Sequence, residues 1–137
     1  MTYLEIQRDI VARYNIELCD GSLCRSDWHR THAHVKERRV CKWLPRRSVQ
    51  ATFELMHEIG HIETSKTTMR RCESEYYATL WALRAAGEYG MTIPKATIEM
   101  YQRYIFAEYI RGVRRGGRLP DIESFRLPGA QTKVVVR

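Results

Sequence analysis

The stretch His57-Glu58-Ile59-Gly60-His61 decides the fold and the chemistry that we expect of this chain. Ser48 precedes it as a helix N-cap, and apolar residues then recur at helical spacing, which predicts a helix that carries both histidines. Two residues four positions apart project from one face of a helix, about 6 Å from each other, so both imidazoles can bind one Zn²⁺. The sequence therefore predicts a two-histidine metal clamp.

Carboxylates near the two histidines supply the other groups that a catalytic zinc site needs. Glu58 points around the helix from His57 and can address water without ligating the metal, which makes it the candidate general base. A catalytic zinc normally has three protein ligands, and Glu73 and Glu75 follow soon afterwards on a second predicted helix. The alternatives are a structural salt bridge for Glu58 and a surface ion pair with Arg71 for Glu75.

The two segments together resemble the ImmA/IrrE family of bacterial and phage zinc metallopeptidases. In that family a His-Glu-x-Gly-His helix precedes a helix with the pattern Glu-x-x-Ala-x-x-aromatic-Ala, which Glu75–Ala82 matches with tryptophan at the aromatic position. The resemblance covers mainly residues 48–86 and implies Glu75 as the third ligand, with Glu63 and Glu73 as alternatives. The connection between the last histidine and Glu75 has only thirteen residues, fewer than in many members.

The resemblance also implies a function. It implies one Zn²⁺ per chain, held by His57, His61 and Glu75, and hydrolysis of a peptide bond in a protein substrate with Glu58 as catalytic acid and base. The substrate in this family is often a helix-turn-helix repressor of a mobile element or stress response. One alternative is a noncatalytic zinc-containing regulator that binds a repressor or nucleic acid through its basic surface. Another is a structural zinc domain with all four coordination positions filled.

The order of predicted elements favours an α+β fold over a doubly wound one. We expect a helix from Thr2 to about Tyr14, a strand over 16–19, a hairpin over 32–44, and helices from Ser48, over about 69–88 and over about 94–115. Residues 1–137 are predicted to form a single minimal zincin-like domain with a small antiparallel or mixed sheet. Residues 119–137 are expected to be an extended tail, to which 134–136 could add a strand.

Gly60 and the strands before its helix carry two further predictions. Glycine inside a helix costs about 1 kcal/mol relative to alanine, so Gly60 indicates that another backbone crosses closely. Related zinc peptidases bind an extended substrate along the strand before this helix, and His32–Val35 or Arg39–Trp43 is the candidate here.

The remaining cysteines and histidines only weakly suggest a second metal site. The chain has no Cys-x-x-Cys pair, and His32 and His34 alternate along one strand face instead of forming a helical clamp. One of the histidines, or Tyr101 or Tyr104, could instead stabilise the oxyanion of a hydrolytic reaction. The potential ligands of such a second site are Cys19, Cys24, His29, His32, His34 and Cys41.

Composition limits the partners and the location of the protein. A net charge of +7 favours acidic partners, including nucleic acid, but the basic residues near the C-terminus lack interleaved aromatics and are interpreted as a solvated helix end. The first residues do not follow the pattern of a signal peptide, and no apolar run is long enough to cross a membrane. We therefore expect a cytoplasmic protein with reduced cysteines. The basic residues in question are Arg111, Arg114, Arg115 and Arg118.

Overall fold

The computed structural model describes residues 1–20 and 30–135 and confirms the α+β prediction. Within these residues, no helix combines the length and the apolar character that crossing a membrane requires. The elements are α1 (Tyr3–Arg13), β1 (Glu17–Cys19), β2 (His32–His34), β3 (Arg39–Cys41), α2 (Val49–Thr64), α3 (Arg71–Glu88), α4 (Lys95–Arg114) and a 3₁₀ helix (Ile122–Phe125).

The three short strands form one mixed sheet in the order β1-β3-β2, with β1 parallel and β2 antiparallel to β3. Ala33 of β2 pairs with Val40 of β3, and both pack into the helical core, so their face of the sheet lies toward α2. The central position of β3 makes the prediction that Arg39–Trp43 binds a substrate strand wrong, because β3 already pairs on both sides. Among the described residues, β2 is an outer strand of the sheet, and it contacts α2.

Helix α2 lies at the centre of the core. It contacts α1, α3, β2 and β3. Its side chains Leu55, Met56 and Ile59 are fully buried, together with Ile10 of α1 and Val40 of β3. Burial of one such side chain contributes about 1.5–3 kcal/mol, so the helix that carries the histidines is held firmly from several sides.

The segment after α4 is packed against the helices and includes the 3₁₀ helix, which an extended tail would lack. Phe125 and Leu127 are buried in a second apolar cluster with Ile105 of α4. The side chain of Gln102 donates to the carbonyl of Phe125 at 2.9 Å and accepts from the backbone amide of Leu127. Residues 134 and 135 form no strand, and residue 136 lies outside the described part of the chain.

Helices α2 and α3 approach each other closely at Gly60. A Cβ atom built on Gly60 would lie 3.0 Å from both the Cα and the carbonyl carbon of Ala78, and closer still to its carbonyl oxygen. This confirms the predicted close crossing of another backbone. Ala78 is the alanine of the downstream sequence pattern, so the small residues of the two motifs meet at one contact.

We predict that Gly60→Ala lowers the free energy of unfolding by about 1–3 kcal/mol, because the added methyl group overlaps the α3 backbone. Chemical denaturation measures the change. Gly87→Ala is the matched control: a Cβ there meets no atom within 4 Å, so this variant should equal the wild type or gain up to about 1 kcal/mol. Equal stability of the two variants would contradict the close approach.

Candidate metal centre

The two histidines of α2 lie side by side, as their spacing predicts. Ser48 caps the helix, its hydroxyl accepting from the amide of Ala51 at 3.1 Å, which starts the helix in the predicted frame. The rings of His57 and His61 have centroids 4.7 Å apart and are inclined at 81°. His57 is buried and His61 is partly buried, so both imidazoles lie at the edge of the core.

Helix α3 brings a carboxylate against both imidazoles. Glu75 Oε2 lies 3.1 Å from His57 Nε2, and Glu75 Oε1 lies 3.3 Å from His61 Nε2. The residue is only 7% exposed. The structure therefore brings together all three predicted ligands, His57, His61 and Glu75.

The two alternative third ligands lie elsewhere and have other partners. Glu63 forms an ion pair with Arg38 at 3.4 Å. Glu73 accepts a hydrogen bond from the backbone amide of Arg70 at 3.1 Å, at the start of α3. Arg71, the alternative partner of Glu75, contacts Glu108 at 3.5 Å. These contacts favour Glu75 as the third ligand.

The charges in the cluster shift the pKa values of His57 and Glu75 in opposite directions. Burial disfavours the charged form of His57, but the nearby carboxylates of Glu58 and Glu75 outweigh it and raise the pKa of His57 to about 9. Burial would raise the pKa of Glu75, but His57 and His61 outweigh it and hold that pKa well below its usual range. An imidazole must lose its proton before it can bind a metal, so a metal at this cluster would compete with the proton on His57.

One buried nitrogen tests whether a metal fits this cluster. His57 Nε2 is buried and has no hydrogen-bond partner, although Glu75 Oε2 is only 3.1 Å away. The contact has the distance of an ion pair but not the geometry of a hydrogen bond, so a cation held between the imidazole and the carboxylate would satisfy both groups. Two imidazoles and one carboxylate are a donor set typical of catalytic zinc. The residues present fit Zn²⁺.

Glu58 lies beside the same cluster. Its Oε1 is 3.7 Å from His57 Nδ1, and the potential ligand atoms of His57, Glu58 and His61 all lie within 4.8 Å of one another. The side chain is partly buried, and its carboxylate lies beside the possible ligand atoms of both histidines. It is also placed to orient the His57 ring, which is the structural alternative to a base.

Ser74 is a residue that sequence analysis missed. Its hydroxyl lies 3.1 Å from His61 Nδ1, the ring nitrogen opposite the one that faces Glu75. Partners of this kind fix the orientation of a metal-binding imidazole. Ser74 immediately precedes Glu75, so one turn of α3 supplies both a ligand and the group that orients another. No sequence signal distinguishes this serine from a surface residue.

The two tyrosines that are candidates for oxyanion stabilisation have different surroundings. The Tyr101 ring lies 4.8 Å from the His57 ring, centroid to centroid. Burial and the charges of Glu58, Glu54 and Glu75 raise the pKa of Tyr101, so its phenol stays protonated and able to donate. Tyr104 instead accepts a hydrogen bond from Arg71 at 3.0 Å. Tyr101 is therefore the better placed of the two.

A second group of potential ligands lies on the sheet. One ligand atom each from His32, His34 and Cys41 lies within 4.8 Å of the other two. The structure thus brings together three residues whose spacing along the chain argued only weakly for a site. Cys24 and His29 lie outside the described residues.

Loss of a residue that only orients a metal ligand typically lowers metal affinity by about 10- to 100-fold. We predict that Glu75→Ala, which removes a ligand itself, lowers zinc affinity by more than this. Competition with a chromophoric chelator measures the affinity. Glu73→Ala removes a carboxylate two positions away on the same helix and should leave zinc affinity unchanged. Loss of affinity in Glu73→Ala but not in Glu75→Ala would assign the third ligand to Glu73.

Comparisons of the chain with protein-family models, with curated proteins and with solved structures found no match. The function of the cluster on α2 and α3 must therefore be argued from its own geometry.

Proposed function

We propose that this protein is a zinc-dependent metallopeptidase of the ImmA/IrrE kind. The observation that carries the proposal is the Glu75 carboxylate, whose two oxygens face the Nε2 atoms of His57 and His61. Two histidines from one helix and a carboxylate from the next make a three-ligand site with one coordination position left for water, as in catalytic zinc sites. His57, His61 and Glu75 would hold one Zn²⁺.

The proposed reaction divides the work between the metal and the chain. A bound zinc ion supplies Lewis acidity and lowers the pKa of water to near neutrality. Glu58 accepts a proton from the attacking water and later donates it to the leaving amine, so the carboxylate ends as it began. The phenol of Tyr101 donates a hydrogen bond to the oxygen that becomes negative when the peptide carbonyl is attacked. The products are a new carboxyl group and a new amino group.

The sheet supports a polypeptide as the substrate. β2 is an outer strand and contacts the helix that carries the histidines. An extended peptide that pairs with an outer strand gains backbone hydrogen bonds without regard to its side chains. We propose that His32–Val35 positions the substrate in this way, and that the substrate is a protein such as a helix-turn-helix repressor of a mobile element or stress response.

We predict that Glu58→Gln lowers the rate of peptide cleavage by about 10²- to 10⁴-fold, because the amide cannot accept the proton. The zinc-loaded protein is incubated with a denatured, proteome-derived peptide library, and new N-termini are counted by mass spectrometry. Zinc affinity, measured in parallel, should change little. Glu54→Gln, one turn earlier on α2 and paired with Arg46 at 3.4 Å, is the matched control and should cleave like the wild type.

Three outcomes of this experiment contradict parts of the proposal. The absence of zinc-dependent cleavage by the wild type contradicts the peptidase and favours a noncatalytic zinc-containing regulator. Equal zinc-dependent cleavage by wild type and Glu58→Gln contradicts the assignment of Glu58 as catalytic acid and base. A 10- to 100-fold loss of zinc affinity in Glu58→Gln instead assigns Glu58 to orienting the His57 ring, because that is the usual cost of losing such a partner.

We predict that Tyr101→Phe lowers kcat by about 10²- to 10³-fold, with little change in KM or zinc affinity. The ring still packs against His57 and Phe53, so only the hydrogen-bond donor is lost. Tyr104→Phe removes the corresponding hydroxyl one turn away and should leave kcat unchanged. An unchanged kcat in Tyr101→Phe would show that the oxyanion is stabilised by another group.

A further inference from the structure

Three side chains from two strands converge on the face of the sheet turned away from α2. His32 pairs with Cys41 in the antiparallel register, and His34 lies two positions after His32, so all three side chains are on one face. Ala33 and Val40, which pack into the core beneath α2, are on the other. One potential ligand atom from each of His32, His34 and Cys41 lies within 4.8 Å of the other two.

The hydrogen bonds of His32 show which of its nitrogens faces this cluster. Its Nδ1 lies 2.8 Å from the carbonyl oxygen of Arg30, and because a carbonyl only accepts, Nδ1 carries the hydrogen. The Nε2 of a neutral His32 therefore presents its lone pair, and it lies 3.1 Å from Nε2 of His34. A backbone carbonyl on the far nitrogen is the arrangement that orients a metal-binding histidine.

The burial and the chemistry of the three side chains suit a metal ion. Cys41 is fully buried and His32 is 8% exposed, so the cluster is largely shielded from water. Two imidazoles and a thiol are also soft to borderline ligands, which favour Zn²⁺ over Mg²⁺ or Ca²⁺. The cluster therefore has the chemistry of a zinc site and the enclosure of a structural one.

We propose that His32, His34 and Cys41 form a second, structural zinc site that joins β2 to β3. Cys19 lies opposite Cys41 in the register of β1 and β3, on the same face, and stands outside the convergent group. By register it is the described residue placed to supply a fourth ligand. The site shares no residue with the cluster on α2 and α3, but His32 and His34 lie in the strand to which we assign substrate binding.

A metal here would stabilise an element that is otherwise weak. Each strand of the sheet has only three residues, and few backbone hydrogen bonds hold such strands together. A metal bound by both partners of a pair adds a cross-link between β2 and β3. Because β2 is the outer strand next to α2, the same cross-link fixes the strand to which we assign substrate binding.

Cobalt substitution tests the site, because a thiolate bound to Co²⁺ gives a charge-transfer band in the near ultraviolet. The cluster on α2 and α3 contains no sulfur, so a metal held there cannot give this band. We expect about two zinc ions per wild-type chain by elemental analysis. We also expect a thiolate band that persists when His57 and His61 are both replaced by alanine and disappears in Cys41→Ala.

The controls separate this site from other thiols and from misfolding. Cys72→Ala replaces a cysteine buried in the other apolar cluster and should retain the band. His34→Gln changes a partly exposed residue and should lose the second zinc while the circular dichroism spectrum is kept. X-ray absorption can be measured on zinc-loaded protein in which only His57 and His61 are replaced, so the second site stays unaltered. We expect it to show a sulfur atom about 2.3 Å from the zinc ion.

The second site is overturned if that zinc-loaded chain shows no sulfur neighbour, or if the cobalt band survives in Cys41→Ala. One zinc per wild-type chain, with neither signal, also overturns it. Failure of this site would leave the peptidase proposal untouched, since cleavage and its dependence on Glu58 are measured separately. Absence of zinc-dependent cleavage in a protein that shows the thiolate band would contradict the peptidase proposal and leave the second site in place.

Discussion

The close contact of α2 and α3 at Gly60 and Ala78 is the constraint on which the candidate metal centre depends. Residues three or four positions apart lie on the same face of a helix, so His57 is a neighbour of both Gly60 and His61, and Glu75 is a neighbour of Ala78. The distance between the two backbones at this contact therefore sets the distance between the carboxylate and the imidazoles. A side chain at position 60 would overlap the backbone of α3 at Ala78, and the separation of the helices that relieves this overlap would move Glu75 away from both histidines.

The contact of α2 and α3 brings two ionisable side chains together in the protein interior, where burial disfavours charged groups. His57 and Glu75 are both buried, and burial alone would favour neutral forms of each. Glu58 and Glu75 instead raise the pKa of the His57 imidazole, and His57 and His61 lower the pKa of the Glu75 carboxyl group. A divalent cation would replace this ion pair by ligand bonds and would satisfy the buried Nε2 of His57, so metal binding would be coupled to the packing of α2 on α3.

The parts of the structure that the sequence predicted correctly are those that depend on local spacing. The cap at Ser48, the helical face shared by His57 and His61, and the close approach at Gly60 all follow from a few neighbouring residues. Ser74 could not be identified in this way, because its role depends on which histidine α3 meets. The central position of β3 and the packing of Phe125 also depend on contacts between distant parts of the chain.

The cluster of His32, His34 and Cys41 is the clearest case of a possible site that local spacing in the sequence does not reveal. His32 and His34 alternate along a strand, and from the sequence that spacing counted against a metal site because it lacks the geometry of a helical clamp. Pairing of β2 with β3 brings in a third possible ligand, because the register places Cys41 opposite His32 on the same face. A two-residue spacing then supplies two ligands from one strand while the neighbouring strand supplies the third. β2 thus carries ligands on one face and, through Ala33, packs toward α2 on the other, so metal binding on the sheet and the orientation of the outer strand beside the α2 histidines are mechanically linked.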